Sequence, residues 1–385
     1  MPSPRRIAFA GLTVLAISLG IGRFLLTPLM PLMQADAGLG LVTGGWLASL
    51  NNAGYLAGAL LCALGVIPAR APLRSALLII ALTTLGMGLG ASPALWVALR
   101  IVAGITSAVL IVHGISWGMV RLRAAGRVDL EAVLFTGPGV GIAISGLLVA
   151  LLRPHGVPSA WLWIGFGLLC AIFTGAVWRD LSAPEPPPPK DTSLQAVRDP
   201  AWPLIALYGL LGFSYVIPAT FLPLIADTQL HLPRVREWFW PVYGVATTLT
   251  TLGLARWPER LGNYVALGVV SFAMLAGELL CAWWPSAIGL LLGTVLLGAV
   301  MMPMVVFVMR EARRLAPRNP TRLIASLTVV FGIGQIAGPL VAAWLAERQH
   351  SFTAPLVLAA GAAGLAMLLV LPRLPRLQQT GDGVA

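Results

Sequence analysis

Charge is scarce in this chain of 385 residues. Charged residues make up only 10% of it, where a soluble domain has about 25%, and hydrophobic residues make up 58%. Lysine occurs once, at Lys190, so the chain has no GxxxxGK[ST] phosphate-binding loop and cannot be its own ATP-driven pump. The sequence also lacks HExxH, GxSxG and any close pair of intramembrane acids. An enzyme is therefore not predicted.

Cysteine is also rare. Cys62, Cys170 and Cys281 each lie inside an apolar run without CxxC spacing, which is typical of small packing residues. We therefore predict no disulfide, no metal site and no cofactor. Arg5 and Arg6 precede the first apolar run as they would in a signal peptide. Because that run has a counterpart at 204–226, it is predicted to be a spanning helix.

Long apolar runs dominate the sequence. A run of about 20 apolar residues is long enough to cross a bilayer. Twelve such runs lie near 7–33, 43–66, 73–92, 94–119, 131–152, 159–178, 203–226, 238–255, 263–284, 286–309, 323–346 and 353–372. They predict an all-α membrane protein with twelve transmembrane helices.

The basic residues predict the orientation of these helices. With the N-terminus inside, 19 of the 25 basic residues fall in cytoplasmic segments. The outer loops hold only four, Arg153, Arg234, Arg236 and Arg348. Because positive charge marks cytoplasmic loops, both termini are predicted to lie in the cytoplasm. The predicted location is the cytoplasmic (inner) membrane. The net charge of +11 follows from this topology, and no nucleic-acid partner is predicted.

The first helix returns in the second half of the chain. An offset of 192 residues aligns Gly20, Arg23, Pro31 and Leu32 with Gly212, Tyr215, Pro223 and Leu224. The same offset aligns Trp46 with Trp238. An offset of half the chain length indicates two related halves, as in many transporters. We predict an N-terminal half over 1–178, a cytoplasmic linker over 179–200 with a proline run, and a C-terminal half over 201–385.

Short motifs add a family resemblance. Arg100 and Gly104 form an RxxxG element in the fourth helix, and Gly137-Pro138 opens a GPxxG element in the fifth that Gly338-Pro339 repeats in the eleventh. With twelve spans, two halves and a central linker, the chain resembles the major facilitator superfamily. The first two helices look closest to its uncharacterised YbfB/YjiJ branch. The resemblance implies two pseudo-symmetric six-helix halves and secondary transport by alternating access.

A loop motif is only half present. Glu259 and Arg260 lie in a Glu-Arg-Leu-Gly segment that resembles the second-half copy of the family's DRxGR loop. The resemblance makes these two residues gating candidates. The first-half counterpart at 67–74 has neither an acid nor a glycine, so the usual gating ion pair is not expected there.

The first helix carries the leading candidate for substrate contact. A charge at mid-membrane costs about 2.5–3.5 kcal/mol, so Arg23 should face protein or a cavity. Thr27 and Gln34 follow it on one face. Arg23 either anchors carbonyls freed by Pro28 and Pro31 or contacts an anionic group, and we favour the second because the resemblance places this helix on the central cavity.

Further cavity candidates lie on the second and seventh helices. Asn51 and Tyr55 share a face of the second helix, which packing between the halves would explain equally well. Tyr208 and Tyr215 are seven residues apart and share a face, and Tyr215 is the repeat counterpart of Arg23. Aromatic packing is the alternative for both tyrosines.

Three more residues are candidates for coupling. Arg100 either pairs with a neighbouring helix or serves proton coupling, as the motif implies, and its place near the helix start also allows it to snorkel outward. His113 is a packed side chain or a proton relay. Glu278, the only acid within a span, is a coupling candidate by default, although snorkelling or pairing is favoured because relatives keep the ninth helix peripheral. The prolines and glycines at 28, 31, 137, 138, 338 and 339 are predicted to bend helices.

These observations predict a secondary active transporter for a small anionic or polar organic solute, driven most naturally by protons. Its partners would be that solute and the lipid bilayer, and it would work as a monomer. An efflux antiporter for apolar compounds is the alternative within the class. A membrane sensor or scaffold that transports nothing is the alternative from another class.

Overall fold

The computed structural model describes residues 2–68, 73–90, 92–181, 201–230, 236–254, 262–316 and 321–373. These ranges hold twelve principal helices and no strand. The first six are α1 (Pro4–Asp36), α2 (Leu41–Ala63), α3 (Leu73–Gly86), α4 (Pro93–Ala124), α5 (Val128–His155) and α6 (Ser159–Val177). The second six are α7 (Trp202–Gln229), α8 (Phe239–Gly253), α9 (Gly262–Trp283), α10 (Ala287–Leu315), α11 (Thr321–Gln349) and α12 (Thr353–Val370). The all-α prediction is confirmed.

Most of these helices have the length and composition of membrane spans. In the described ranges, nine helices are long and apolar enough to cross a bilayer, and α2, α3 and α8 fall short. Large apolar side chains such as Trp161, Ile172 and Trp283 are about two-thirds exposed. Water would penalise such a surface, whereas lipid chains accept it. The molecule is therefore a multi-pass membrane protein.

The first helix is broken near its middle. It is α-helical over Pro4–Leu15, π-helical over Ala16–Arg23, and α-helical again over Leu26–Asp36. Pro28 lies in the first turn of the segment Leu26–Asp36, where its missing N–H costs no helical hydrogen bond. The break leaves carbonyls at the end of the π-helical segment without their usual partners.

The other predicted bending sites behave differently. Within α5 a new helical segment begins at Gly137, with Pro138 in its first turn. By contrast, α11 continues through Pro339. Glycines allow close crossings at these places: Gly20 of α1 meets Gly141 of α5, and Gly338 meets Val216 of α7.

The two halves, α1–α6 and α7–α12, pack on each other through α2 with α11, α5 with α8, and the Leu26–Asp36 segment of α1 with α7. The hydroxyl of Thr27 donates to the carbonyl of Ala219 at 2.9 Å. These two residues are 192 apart, which is the repeat offset, so counterparts in the repeat touch where α1 crosses α7. Most of the predicted linker, residues 182–200, lies outside the described residues, and the half boundaries stay predictions.

Candidate transport site

Arg23 lies between the two halves, at the end of the π-helical segment of α1. Its side chain is 7% exposed. Nη2 donates to Asn52 Oδ1 of α2 at 2.7 Å and to Gln335 Oε1 of α11 at 3.1 Å. The guanidinium carbon lies 4.2 Å from the centre of the Tyr55 ring and 5.3 Å from that of Phe24. One cation therefore joins three helices from both halves.

Every hydrogen-bond partner of this cation is neutral. Among the described residues no carboxylate forms an ion pair with Arg23, and its buried Nε has no hydrogen-bond partner. A buried charge is normally paired, because amide oxygens and ring faces compensate only part of the lost hydration. The site therefore holds positive charge and unused donor capacity, which suits an anionic group.

Aromatic rings form one wall of the site. Tyr208 stacks on Phe331 of α11 with ring centres 4.2 Å apart, and Tyr215 lies nearly parallel to Phe331 at 6.3 Å. Phe24 meets Tyr215 edge-on. The hydroxyls of Tyr55, Tyr208 and Tyr215 make no hydrogen bond to any described residue. Flat apolar faces and available hydroxyls thus lie beside the guanidinium of Arg23.

Arg100 supports the broken helix. Its Nη1 and Nη2 donate to the carbonyls of Gly22 and Arg23 at 3.1 and 2.6 Å, and its side chain is 2% exposed. Asn51 donates to the carbonyls of Arg100 and Gly22 at 2.8 and 3.4 Å. Arg100 thus anchors carbonyls at the break in α1, and the two interpretations of Arg23 stay predictions. Arg100 points inward, so the snorkelling orientation allowed by the sequence is wrong.

Glu278 also points inward, so of the two expected alternatives, snorkelling or pairing, snorkelling is wrong. Its side chain has no solvent exposure, and Oε1 accepts a hydrogen bond from Ser214 of α7 at 2.7 Å. The buried face of α9 that carries it includes Met274 and Cys281 at helical spacing. That spacing was readable in the sequence and places the acid against α7.

The remaining candidates lie apart from Arg23. Thr27 bonds to α7, and Gln34 is half-buried near the end of α1 and makes no hydrogen bond to the described residues of the site. His113 is buried on α4 and is not among the contacts of Arg23. The loop candidates Glu259 and Arg260 lie outside the described residues.

Sequence reasoning missed several contributors to the site. They are Asn52, Gln335, Phe24, Phe331 and Ser214. Two had a usable signal. Asn52 is three residues from Tyr55 and so shares a helical face with it, and Gln335 is the only amide inside the apolar part of α11. The aromatic residues carried no signal that separates a site from packing.

Comparison with known proteins agrees with this architecture. The profile of the family described as "Uncharacterised MFS-type transporter YbfB" matches residues 15–371. A chloramphenicol resistance protein from Streptomyces lividans is 27% identical over 365 residues, covering 86% of this chain and 87% of that protein.

Two solved structures share the fold. The nucleoside transporter NupG gives a TM-score of 0.74 at 15% identity, over 98% of this chain and 100% of that chain. The human organic anion transporter MFSD10 gives 0.62 at 18% identity, over 96% and 100%. At these identities the structures establish the twelve-helix, two-half fold and nothing about the solute.

Proposed function

Because the chain belongs to the major facilitator superfamily, in the branch described as YbfB-type transporters, we propose that it moves a small organic anion across the membrane by alternating access. The observation that carries this proposal is Arg23, a buried cation between the halves with only neutral ligands. A carboxylate at its open donors would form charge-assisted hydrogen bonds, which are stronger than those of the neutral amides.

The position of Arg23 also supports a route for alternation. Nη2 is shared between Asn52 of the first half and Gln335 of the second, and Asn52 in turn donates to the Gln335 carbonyl at 2.9 Å. An anion that competes for the guanidinium weakens this link between the halves. A ligand shifts a conformational equilibrium by its difference in affinity for the two states, and this competition supplies such a difference.

The aromatic wall narrows the choice of solute to compounds with a planar ring. Rings that stack on Tyr208, Tyr215 and Phe331 gain apolar contact, while an anionic group reaches Arg23. A planar aromatic carboxylate meets both conditions, and benzoate is the simplest probe of that class.

The proposal includes proton coupling, monomeric action and a cytoplasmic membrane with both termini inside. The topology rests on the 19 to 4 division of basic residues between the two sides. Reporter fusions at Arg127, Lys190 and Arg318 are expected to report cytoplasm, and fusions at Arg153 and Arg234 the outside. A fusion on the wrong side contradicts the topology.

Uptake into proteoliposomes tests the function. Purified protein with an imposed pH gradient is expected to accumulate radiolabelled benzoate faster than protein-free liposomes, which benzoic acid enters by diffusion, and a proton ionophore should abolish the difference. Uridine and chloramphenicol serve as comparison solutes, because similar proteins include a nucleoside transporter and a chloramphenicol resistance protein. Chloramphenicol moving without benzoate supports the efflux alternative. No movement of any solute, with folded protein present, contradicts the proposal and favours a sensor.

A further inference from the structure

A second polar site lies behind α7, away from Arg23. The carboxyl of Glu278 is fully buried and receives one hydrogen bond, from the hydroxyl of Ser214 to Oε1 at 2.7 Å. Oε2 is buried and has no partner among the described residues. An ionised carboxylate with one neutral donor is far more costly to bury than a protonated carboxyl. The position therefore suits a group that gains and loses a proton.

No basic residue faces this carboxyl from the described helices packed on α9. The helix α12 contains no titratable side chain, and α10 contains none before Arg310 near its cytoplasmic end. The only acid of α7, Asp227, lies near its outer end. The titratable groups in electrostatic range of Glu278 are Tyr243 of α8 and Cys281 on α9 itself. Neither supplies a positive charge.

The carboxyl and the transport site share α7. Ser214 contacts Glu278, and the adjacent Tyr215 lies against Phe331 and Phe24 in the aromatic wall. Neighbouring residues of a helix point in directions about 100° apart, so α7 presents one to each site. A rotation or shift of α7 that accompanies solute binding at Tyr215 would therefore change the one hydrogen bond that Glu278 receives from the described residues.

We propose that Glu278 carries the coupling proton and that Ser214 links its protonation to the movement of α7. The step is a simple transfer: a proton binds Oε2 when the site is open to one side and leaves from it when the site is open to the other. This inference rests on the proposed transport function. It places the proton in the second half of the molecule and the anion at Arg23 of the first.

The deciding experiment separates coupled from uncoupled transport. In proteoliposomes with benzoate as the probe, Glu278→Gln is expected to lower accumulation driven by a proton gradient at least tenfold. Exchange of internal for external benzoate at equal pH should stay within twofold of wild type, because exchange requires no net proton movement. Cys281→Ser, a buried change one turn away on the same helix, should leave both activities unchanged. Gradient-driven accumulation that survives Glu278→Gln overturns the inference.

A structural role for Glu278 predicts a different pattern. Glu278→Gln would then lower accumulation, exchange and melting temperature together, and that result also overturns the inference. Ser214→Ala gives a second readout, because loss of the hydrogen bond that Ser214 donates to Glu278 should move the midpoint of the pH profile of uptake by about one unit without abolishing uptake. An unmoved profile contradicts the role of Ser214.

A readout without solute keeps this inference separate from the proposed function. The melting temperature of purified wild type and Glu278→Gln is measured from pH 5 to pH 9. A difference between the two curves that varies with pH is expected if Glu278 exchanges a proton, whatever the solute. A constant difference overturns the inference. If the wild type moves no benzoate but the curves diverge with pH, the choice of solute fails while the proton site stands.

Discussion

The first and seventh helices come from the same repeat but have different shapes. α1 changes from π-helix to a turn after Arg23, whereas α7 runs unbroken over the 28 residues Trp202–Gln229. Proline alone does not explain the difference, because α7 contains both Pro218 and Pro223. Pro28, in the first turn after the break, corresponds to Thr220 in the repeat.

The arginine that stabilises the break in α1 explains more of the difference between α1 and α7. Arg100 binds the carbonyls that the break leaves open, and the residue 192 positions later is Leu292, which is 46% exposed on α10. The second half thus has neither the broken helix nor the arginine that stabilises it. In the same way, Tyr215 replaces Arg23, and the counterpart of Glu278 is Gly86. The halves share a fold and divide the charged residues between them.

The largest effect is expected at Arg23. If this arginine binds the anionic group, Arg23→Gln should weaken benzoate affinity by about 100-fold, because a buried charge partner is lost. Arg23→Lys should retain part of the affinity, since a point charge remains while the planar fork is lost. Affinity and melting temperature are measured side by side for each variant.

The control for Arg23 is Arg348→Gln, which removes an arginine that stacks on Trp344 near the end of α11. It should change neither quantity. If Arg23→Gln strongly lowers the melting temperature while benzoate binds as before, Arg23 is a structural residue and the division between the halves loses its functional meaning.

The next effect concerns stability at Arg100. Arg100→Met removes the donor of the buried Arg23 carbonyl, which costs about 1–3 kcal/mol, and leaves the Gly22 carbonyl with only the longer bond from Asn51 at 3.4 Å. A clear fall in melting temperature is expected. Leu292→Met changes the repeat counterpart to the same residue at an exposed position and should have little effect. Equal losses in the two variants would show that the break in α1 does not depend on Arg100.

Much of this arrangement was predictable from residue pattern. Apolar runs predicted the helices, and the 192-residue offset predicted two related halves. Two inferences about orientation failed for a physical reason. The first is the outward orientation of Arg100. The π-helical segment of α1 adds a residue to the helical turn, so the regular spacing of 100° per residue does not show that carbonyls there need a donor such as Arg100. The second is the orientation of Glu278. Its side chain points inward because α9 packs against α7, and the peripheral position of the ninth helix in relatives does not predict that contact.

A moderate effect is expected from the amides that hold Arg23. Gln335→Ala removes the link from the second half, and Asn52→Ala removes the link from the first. Each bond to a charged group is worth about 1.5–3 kcal/mol, but benzoate replaces much of it, so affinity should change no more than about tenfold. Gln335→Ala should raise affinity, because the anion no longer competes with Gln335 for Nη2. A loss of affinity of about 100-fold in Gln335→Ala would instead make Gln335 a ligand of the solute.

The smallest effect is expected at the contact between Thr27 and its repeat counterpart Ala219. Thr27→Val keeps the shape of the side chain but removes its hydrogen bond to Ala219, worth about 1 kcal/mol. If this bond helps to close the outer ends of α1 and α7, its loss should raise the population open to the outside by about fivefold. The readout is the rate at which an impermeant thiol reagent labels Met30→Cys, a position fully buried in the Leu26–Asp36 segment of α1. Thr228→Val is the matched control, since among the described residues the hydroxyl of Thr228 bonds to Ile225 within its own helix. Equal labelling rates in Thr27→Val and the control would mean that the contact between repeat counterparts is incidental to closure.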